Sequence, residues 1–254
     1  MIEYGDYKQM PTHPSGVSDE GFVSFCEELR DRGETSLALD MDDVAFAHVP
    51  WEAMAFVKNL QLIGTPKNFE GISGLSQLED LSLTSTKIET LDPLKDITCL
   101  EILYLFSSVP KNVQSIGKLS RLKALLLVDL KKLQNLEFIS GLSQLQYLEV
   151  SSVSGVSSFP DCSGLTRLRR VDLESLKDLT SLEGLAKAPN LHTVLCVMCR
   201  GLSLNAFTTL SQSKSLTKFE IRHSSNKTKA SIEALFPGKV GEQCEDIPEN
   251  YTVI

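Results

Sequence analysis

No run of 18 apolar residues occurs anywhere in the 254-residue chain, so no segment reads as a membrane-spanning helix. The chemistry-bearing motifs are missing too. There is no phosphate-cradling GxxxxGK[ST], no GxGxxG, no GxSxG nucleophile elbow and no HExxH, so the chain reads as a non-enzyme with no cofactor and no metal. Its four histidines (13, 48, 192, 223) offer no ligand spacing, and paired carboxylates such as Asp42-Asp43 sit in a polar turn. Six cysteines (26, 99, 162, 196, 199, 244) are too sparse for the disulfide framework of a small secreted domain. Met1 to Asp6 has neither the basic start nor the apolar stretch of a secretory signal, so the expected compartment is the cytosol. The triplets beginning at Asn226 and Asn250 are then chance matches to a glycosylation signal. A Lys/Arg stripe is also lacking, which argues against nucleic acid.

What the chain does have is one line written seven times: an apolar residue, two others, an apolar, one other, an apolar. It runs Leu78-Leu81-Leu83, Leu100-Leu103-Leu105, Leu122-Leu125-Leu127, Leu145-Leu148-Val150, Leu168-Val171-Leu173, Leu191-Val194-Cys196 and Leu216-Phe219-Ile221. Successive starts lie 22, 22, 23, 23, 23 and 25 residues apart. Backwards, Val57-Leu60-Leu62 and a degenerate Glu34-Leu37-Leu39 continue the frame. A fixed period near 22 marks a solenoid.

Line positions 4 and 6 alternate with 5, so they share one face of a short strand. A lone strand cannot bury that face, and each unit needs a stacked neighbour. Upstream, apolar residues recur every third position, as in Ile72, Leu75, Leu78 and Leu81. Triplet spacing predicts a tight 3₁₀-like return rather than a long convex helix. Gly74, Gly141, Gly164 and Gly184 precede a core leucine, where a sharp turn is expected.

The pattern resembles the leucine-rich repeat family, in the 22–23-residue class of internalins and phosphatase-regulating repeat proteins, over roughly Glu34 to His223. Leu78-Glu79-Asp80-Leu81-Ser82-Leu83, followed by Thr86, Ile88, Leu91 and Leu94, matches it best. The resemblance implies an α/β repeat fold: a right-handed solenoid with one curved parallel sheet of about nine strands and an irregular convex side. The chain departs at line position 9, where the family's Asn is replaced by Thr86, Ser108, Leu130, Val153, Leu176 and Cys199. The inner ladder must then be partly apolar.

Three segments follow. Residues 1–33 form an N-terminal segment with a capping helix over Asp19–Arg30, whose Phe22, Phe25, Cys26 and Leu29 share one face and whose stop is Gly33. Residues 34–223 are the repeats. Residues 224–254 are a C-terminal cap and tail, with a short helix over Ala230–Phe236 ended by Pro237-Gly238. Trp51 belongs to the core. Cys196 and Cys199 have the spacing of a redox or metal pair, but both fall on core-facing positions and read as small buried hydrophobes.

Charge is uneven. Up to Asp43 there are eleven acids against Lys8, Arg30 and Arg32, which accounts for the whole net charge of −8. Such an end can steer a basic partner or simply solubilise the cap.

Positions 3, 5 and 7 face outward on the concave sheet. On three adjacent strands they are Ile102, Tyr104 and Phe106; Leu126 and Val128; and Tyr147. With strands about 4.8 Å apart these side chains must touch, and together they are expected to expose an apolar patch of a few hundred Å². A charged flank follows, with Glu149, Arg170 and Asp172. An apolar, aromatic centre beside charge is how protein-binding surfaces are arranged. The alternatives are that the terminal segments fold over the patch, or that these residues serve the sheet itself. The expected function is a monomeric, non-catalytic scaffold that captures a protein partner, including one that neutralises it as toxin-immunity proteins do. A regulatory subunit of an enzyme complex, similar to the phosphatase regulators, is the alternative.

Overall fold

The computed structural model describes residues 10–45, 48–108, 110, 112–131, 133–223 and 225–241. Nine five-residue strands, β1 (Ser36–Asp40), β2 (Asn59–Ile63), β3 (Asp80–Thr84), β4 (Ile102–Phe106), β5 (Ala124–Val128), β6 (Tyr147–Ser151), β7 (Arg170–Glu174), β8 (Thr193–Val197) and β9 (Lys218–Arg222), form one parallel sheet in sequence order. Four helices join them: α1 (Asp19–Asp31), α2 (Glu183–Ala186), α3 (Leu204–Ser211) and α4 (Asn226–Glu233).

Every line of the sequence repeat lies in register with the next. Leu81 pairs with Leu103, Leu103 with Leu125, Leu125 with Leu148, Leu148 with Val171 and Val171 with Val194. All six are wholly buried in one core that runs the length of the solenoid. Burying a leucine side chain stabilises by roughly 1.5–3 kcal/mol, so each strand is held by its stack rather than by its own propensity. Varying repeat lengths are absorbed on the return side. Five return segments are 3₁₀ turns, among them Phe69–Gly74, Asp92–Asp96 and Glu137–Gly141, as the triplet spacing predicts. The last interval, the 25-residue one, instead accommodates the two-turn helix α3, which buries Phe207 and Leu210. The extra residues there make room for two helical turns, where the 23-residue unit before it holds only the one-turn α2.

Gly74 and Gly141 close 3₁₀ turns and Gly164 sits in a turn before its core leucine, while Gly184 lies inside α2. None of Gly74, Gly141, Gly164 and Gly184 has a positive φ. A Cβ on Gly141 would strike the Gly117 carbonyl oxygen, and one on Gly184 the Pro160 carbonyl oxygen, so these two permit close stacking of neighbouring repeats. The chain turns one residue after each of β2 to β8, with positive φ at Gly64, Ser85, Ser107, Asp129, Ser152, Ser175 and Met198. Their N–H groups extend the ladder by one bond, as from Ser107 to the Val128 carbonyl at 3.0 Å.

Both sheet edges are covered. Pro11 accepts from the Ala38 N–H at 2.9 Å, His13 Nε2 accepts from the Asp40 N–H at 3.1 Å, and α1 packs its buried Phe22, Cys26 and Leu29 behind β1. Ser18 caps α1 by accepting from the Gly21 N–H, and Gly33 ends it at φ 74°. At the far edge the Phe219 N–H bonds the Lys239 carbonyl at 2.8 Å. The C-terminal helix begins at Asn226, earlier than its apolar residues indicate, because Ser225 caps it through the Thr228 N–H. Trp51 is core, its Nε1 donating to the Asn68 carbonyl at 2.8 Å. Cys244, the Asn250 triplet and the tail beyond 241 lie outside the described residues.

The substitutes for the family's ladder Asn are all buried. Leu130, Val153 and Leu176 fill the slot with carbon, while the Cys199 thiol points to the Val197 carbonyl at 3.5 Å. Among the described residues no group of three or more metal-ligating side chains converges.

Candidate protein-binding surface

The strand alternation sends positions 3, 5 and 7 to the concave face, opposite the main core. There the register sets Ile102 beside Ala124, Tyr104 beside Leu126, Phe106 beside Val128, and Ala124 beside Tyr147. These side chains do touch. Ala124, Leu126 and Tyr147 form a second apolar cluster, separate from the main core, with Ile102 and Tyr104 packed against it. The Tyr104 and Phe106 rings, two residues apart on one strand, lie nearly parallel with centroids 6.1 Å apart.

The expected exposure is corrected in part. Phe106 is exposed at 36 %, and Ile102, Tyr104 and Val128 are half-buried, but Leu126 is only 4 % and Tyr147 only 2 % exposed. Side chains in register along a tightly spaced ladder cover one another, and large neighbours do so most. The outward patch is therefore a small apolar floor with an aromatic rim, rather than six separate open side chains.

The charged flank is joined to it. Tyr147 Oη lies 3.0 Å from Glu149 Oε2 and 3.1 Å from Asp172 Oδ2, within reach of both carboxylates. Arg170 donates from Nε to Asp172 Oδ1 and from Nη2 to Asp172 Oδ2, each at 2.9 Å, and its guanidinium sits 5.9 Å from the Tyr147 ring centroid. Both Arg170 and Asp172 are buried, which strengthens a two-pronged ion pair over an exposed one. Burial, and secondarily the Glu149 charge, pushes the Tyr104 phenol up to about 12. Further along, Leu195, Val197 and Met198 are half-buried, as their outward positions require.

Two features escape the pattern reading. Asp80 and Ser82 occupy outward positions on β3 yet are 4 % and 0 % exposed, and the Ser82 hydroxyl has no hydrogen-bond partner among the described residues. Nothing in the alternation signals this. On the opposite side, Pro110, Asn112, Gln114, Gln134 and Asn135 line a polar hollow of about 250 Å³. Its Asn side chains are engaged structurally, Asn112 Oδ1 accepting from the Gln114 N–H and Asn135 Oδ1 from the Glu137 N–H.

No protein-family model matches the chain, and no curated protein does. Solved structures do. An internalin (inlF) of Listeria monocytogenes superposes with a TM-score of 0.63 at 16 % identity, covering 91 % of this chain and 72 % of that one. An internalin C2 of the same species superposes with a TM-score of 0.54 at 23 % identity, covering 76 % and 84 %. Together with the in-register parallel strands and their buried leucine columns, these likenesses show that the chain has the leucine-rich repeat fold.

Proposed function

We propose that this chain is a non-catalytic scaffold that captures a protein partner on its concave sheet. The observation that carries this reading is the second apolar cluster, on the outward face, rimmed by the exposed Phe106 and bordered by the buried Arg170–Asp172 pair. Cross-strand packing accounts for the enclosed Leu126 and Tyr147 but not for Phe106, whose ring stays exposed. The combination of an aromatic anchor, an apolar floor and a fixed polar border suits a protein surface. In the finer reading the captured partner is a single cognate protein that the scaffold neutralises, as immunity proteins do toxins, with the scaffold acting as a cytosolic monomer. Bridges at Ala38 on β1 and Phe219 on β9 interrupt the two edge ladders, which supports the monomer.

Affinity purification of the full chain against its Phe106→Ala variant, followed by mass spectrometry, tests the reading. One toxin-like protein held by the first and lost by the second is the expected result. A phosphatase or other enzyme catalytic subunit in its place supports the regulatory-subunit alternative. A partner held equally by both forms places the binding surface elsewhere.

A further inference from the structure

The two ends of the solenoid carry opposite charge. The acidic excess lies in residues 1–43, at the β1 end. Residues 198–241, from the turn after β8 to the far edge, carry seven cations against two acids, Glu220 and Glu233. Both of those acids are ion-paired, Glu220 with Arg222 at 2.6 Å and Glu233 with Lys229 at 3.5 Å. Arg200 and Lys227 are exposed and make no ion pair among the described residues. Arg222 gives Nε to Glu220 with 59 % of its side chain still exposed, which leaves the terminal N–H groups of its fork for another acceptor.

The fold draws these cations together. The Met198 N–H bonds the Arg222 carbonyl at 2.8 Å, which sets the turn bearing Arg200 against the end of β9. The helix α4, with Lys227 in its first turn, starts just beyond Arg222. On the concave face the register places Val197 beside Arg222 and Leu195 beside Glu220, and both apolar side chains are half-buried. β1 and β9 are eight strand spacings apart, about 40 Å and several Debye lengths at physiological salt, so neither end cancels the field of the other.

Taking the concave face as the protein-binding surface, as above, we propose that the partner carries an acidic segment with apolar neighbours, and that this segment seats at the β8–β9 end. Its carboxylates meet Arg200, Arg222 and Lys227, and its apolar side chains rest on Leu195 and Val197. The partner then lies along the sheet in one direction, with its acidic part away from the acidic cap over β1. A guanidinium takes a carboxylate in a two-pronged pair, which fixes position as well as charge. Nucleic acid fits less well. Glu174 is exposed beside Val197 and Asp172 lies beside Leu195, so a continuous phosphate chain would meet carboxylates where a peptide can place carbon.

Display selection of random peptides on the immobilised full chain tests this. Peptides of about 16 residues can run from β9 to Phe106, about 24 Å across five strand spacings. Those enriched are titrated calorimetrically, at low and high salt, against the wild type, the Arg200→Gln/Lys227→Gln double variant, Arg222→Gln and Phe106→Ala. The expected result is enrichment of Asp or Glu beside apolar residues, with affinity falling about tenfold or more in the double variant and in Arg222→Gln, and with a flatter salt dependence there. Acidic peptides that bind both cation variants normally overturn the inference. Enriched peptides that lack acids and need Phe106 overturn it too, and leave the concave-face reading standing. Peptides indifferent to all four positions overturn both. A short DNA duplex held more tightly than the peptides, through the same cations, overturns the choice of a protein segment. Past Gly241 the sequence adds Glu242, Glu245, Asp246 and Glu249. If acidic peptides bind only after these four are changed to the matching amides, the cations serve the chain itself and the inference falls. The double variant removes charges that hold no ion pair, and circular dichroism melting of each variant confirms that the folded form is the one titrated.

Discussion

Thr86 Oγ1 donates to Ser108 Oγ at 2.9 Å, joining two buried hydroxyls across adjacent repeats. Ser108 Oγ also stands 3.1 Å from the Leu83 carbonyl, to which it can donate its own proton. Ser108 Oγ also accepts from the Thr86 N–H at 3.3 Å, so this one short side chain ties down backbone of the preceding repeat. Ser108→Ala leaves the Thr86 hydroxyl and the Leu83 carbonyl without this partner in a dry environment. The expected loss is about 1–3 kcal/mol in a urea unfolding titration. Ser82→Ala should behave oppositely and be neutral or stabilising, because it removes a buried hydroxyl that makes no hydrogen bond among the described residues.

Leu125→Ala and Leu148→Ala each delete a wholly buried side chain at the middle of the leucine column. Each should cost roughly 2–5 kcal/mol. Leu126→Ala lies on the opposite face, yet its side chain is almost as buried, so it too should lower stability measurably. A loss below about 1 kcal/mol at both Leu125 and Leu148 would mean that the repeat frame is displaced.

The strands and their register were legible because a two-residue alternation leaves one choice of buried face, and a slip of one residue would expose every leucine. α1 was legible from Ser18, its acidic first turn and Gly33. The burial of Leu126, Tyr147 and Ser82 was not, since alternation says which way a side chain points and nothing about what lies across it on a neighbouring strand. The stacking role of Gly141 and Gly184 was hidden for the same reason: the atom that forbids a Cβ belongs to a repeat more than twenty residues away. Of the candidate site, the clustering could be read from sequence and the exposure could not.

The acidic N-terminal end supplies a test of steering. Asp43 accepts from the Ser15 hydroxyl at 2.7 Å and Asp40 from the Asp42 N–H at 3.0 Å, so reversing either would also loosen the segment against β1. Glu27, Glu28 and Asp42 are exposed and better suited. Their joint reversal to lysine should slow association with a basic partner and flatten its salt dependence, with dissociation unchanged in stopped-flow traces. An association rate that ignores both salt and reversal would make the acidic end a solubilising cap.

Tyr104 gives a pH signature. Its phenol ionises near 10 in the unfolded chain and at about 12 in the folded one, so the folded state holds the proton more tightly. Its contribution to stability is therefore intact below pH 10 and declines as pH rises from about 10 to about 12. Ultraviolet titration at alkaline pH should show a late-ionising step, and Tyr104→Phe should lower its amplitude by one tyrosine. A late step that persists in the variant belongs to another ring.

Phe106 separates binding from folding more cleanly than any other position in the cluster. It is 36 % exposed, while Leu126 and Tyr147 beside it are nearly enclosed, so truncations at those two confound a lost contact with a collapsed floor. An aromatic anchor at an interface is commonly worth 2 kcal/mol or more, about thirtyfold in affinity. Phe106→Ala should therefore weaken capture of the partner by about that factor and leave the melting temperature nearly unchanged. Tyr104→Ala should weaken binding as well but also melt lower, because half of that ring is already packed on Leu126 and Ala124. If Phe106→Ala binds normally, the aromatic rim serves only the sheet. If it melts many degrees lower, the ring is part of the fold, and the concave face loses the open anchor on which the binding reading stands.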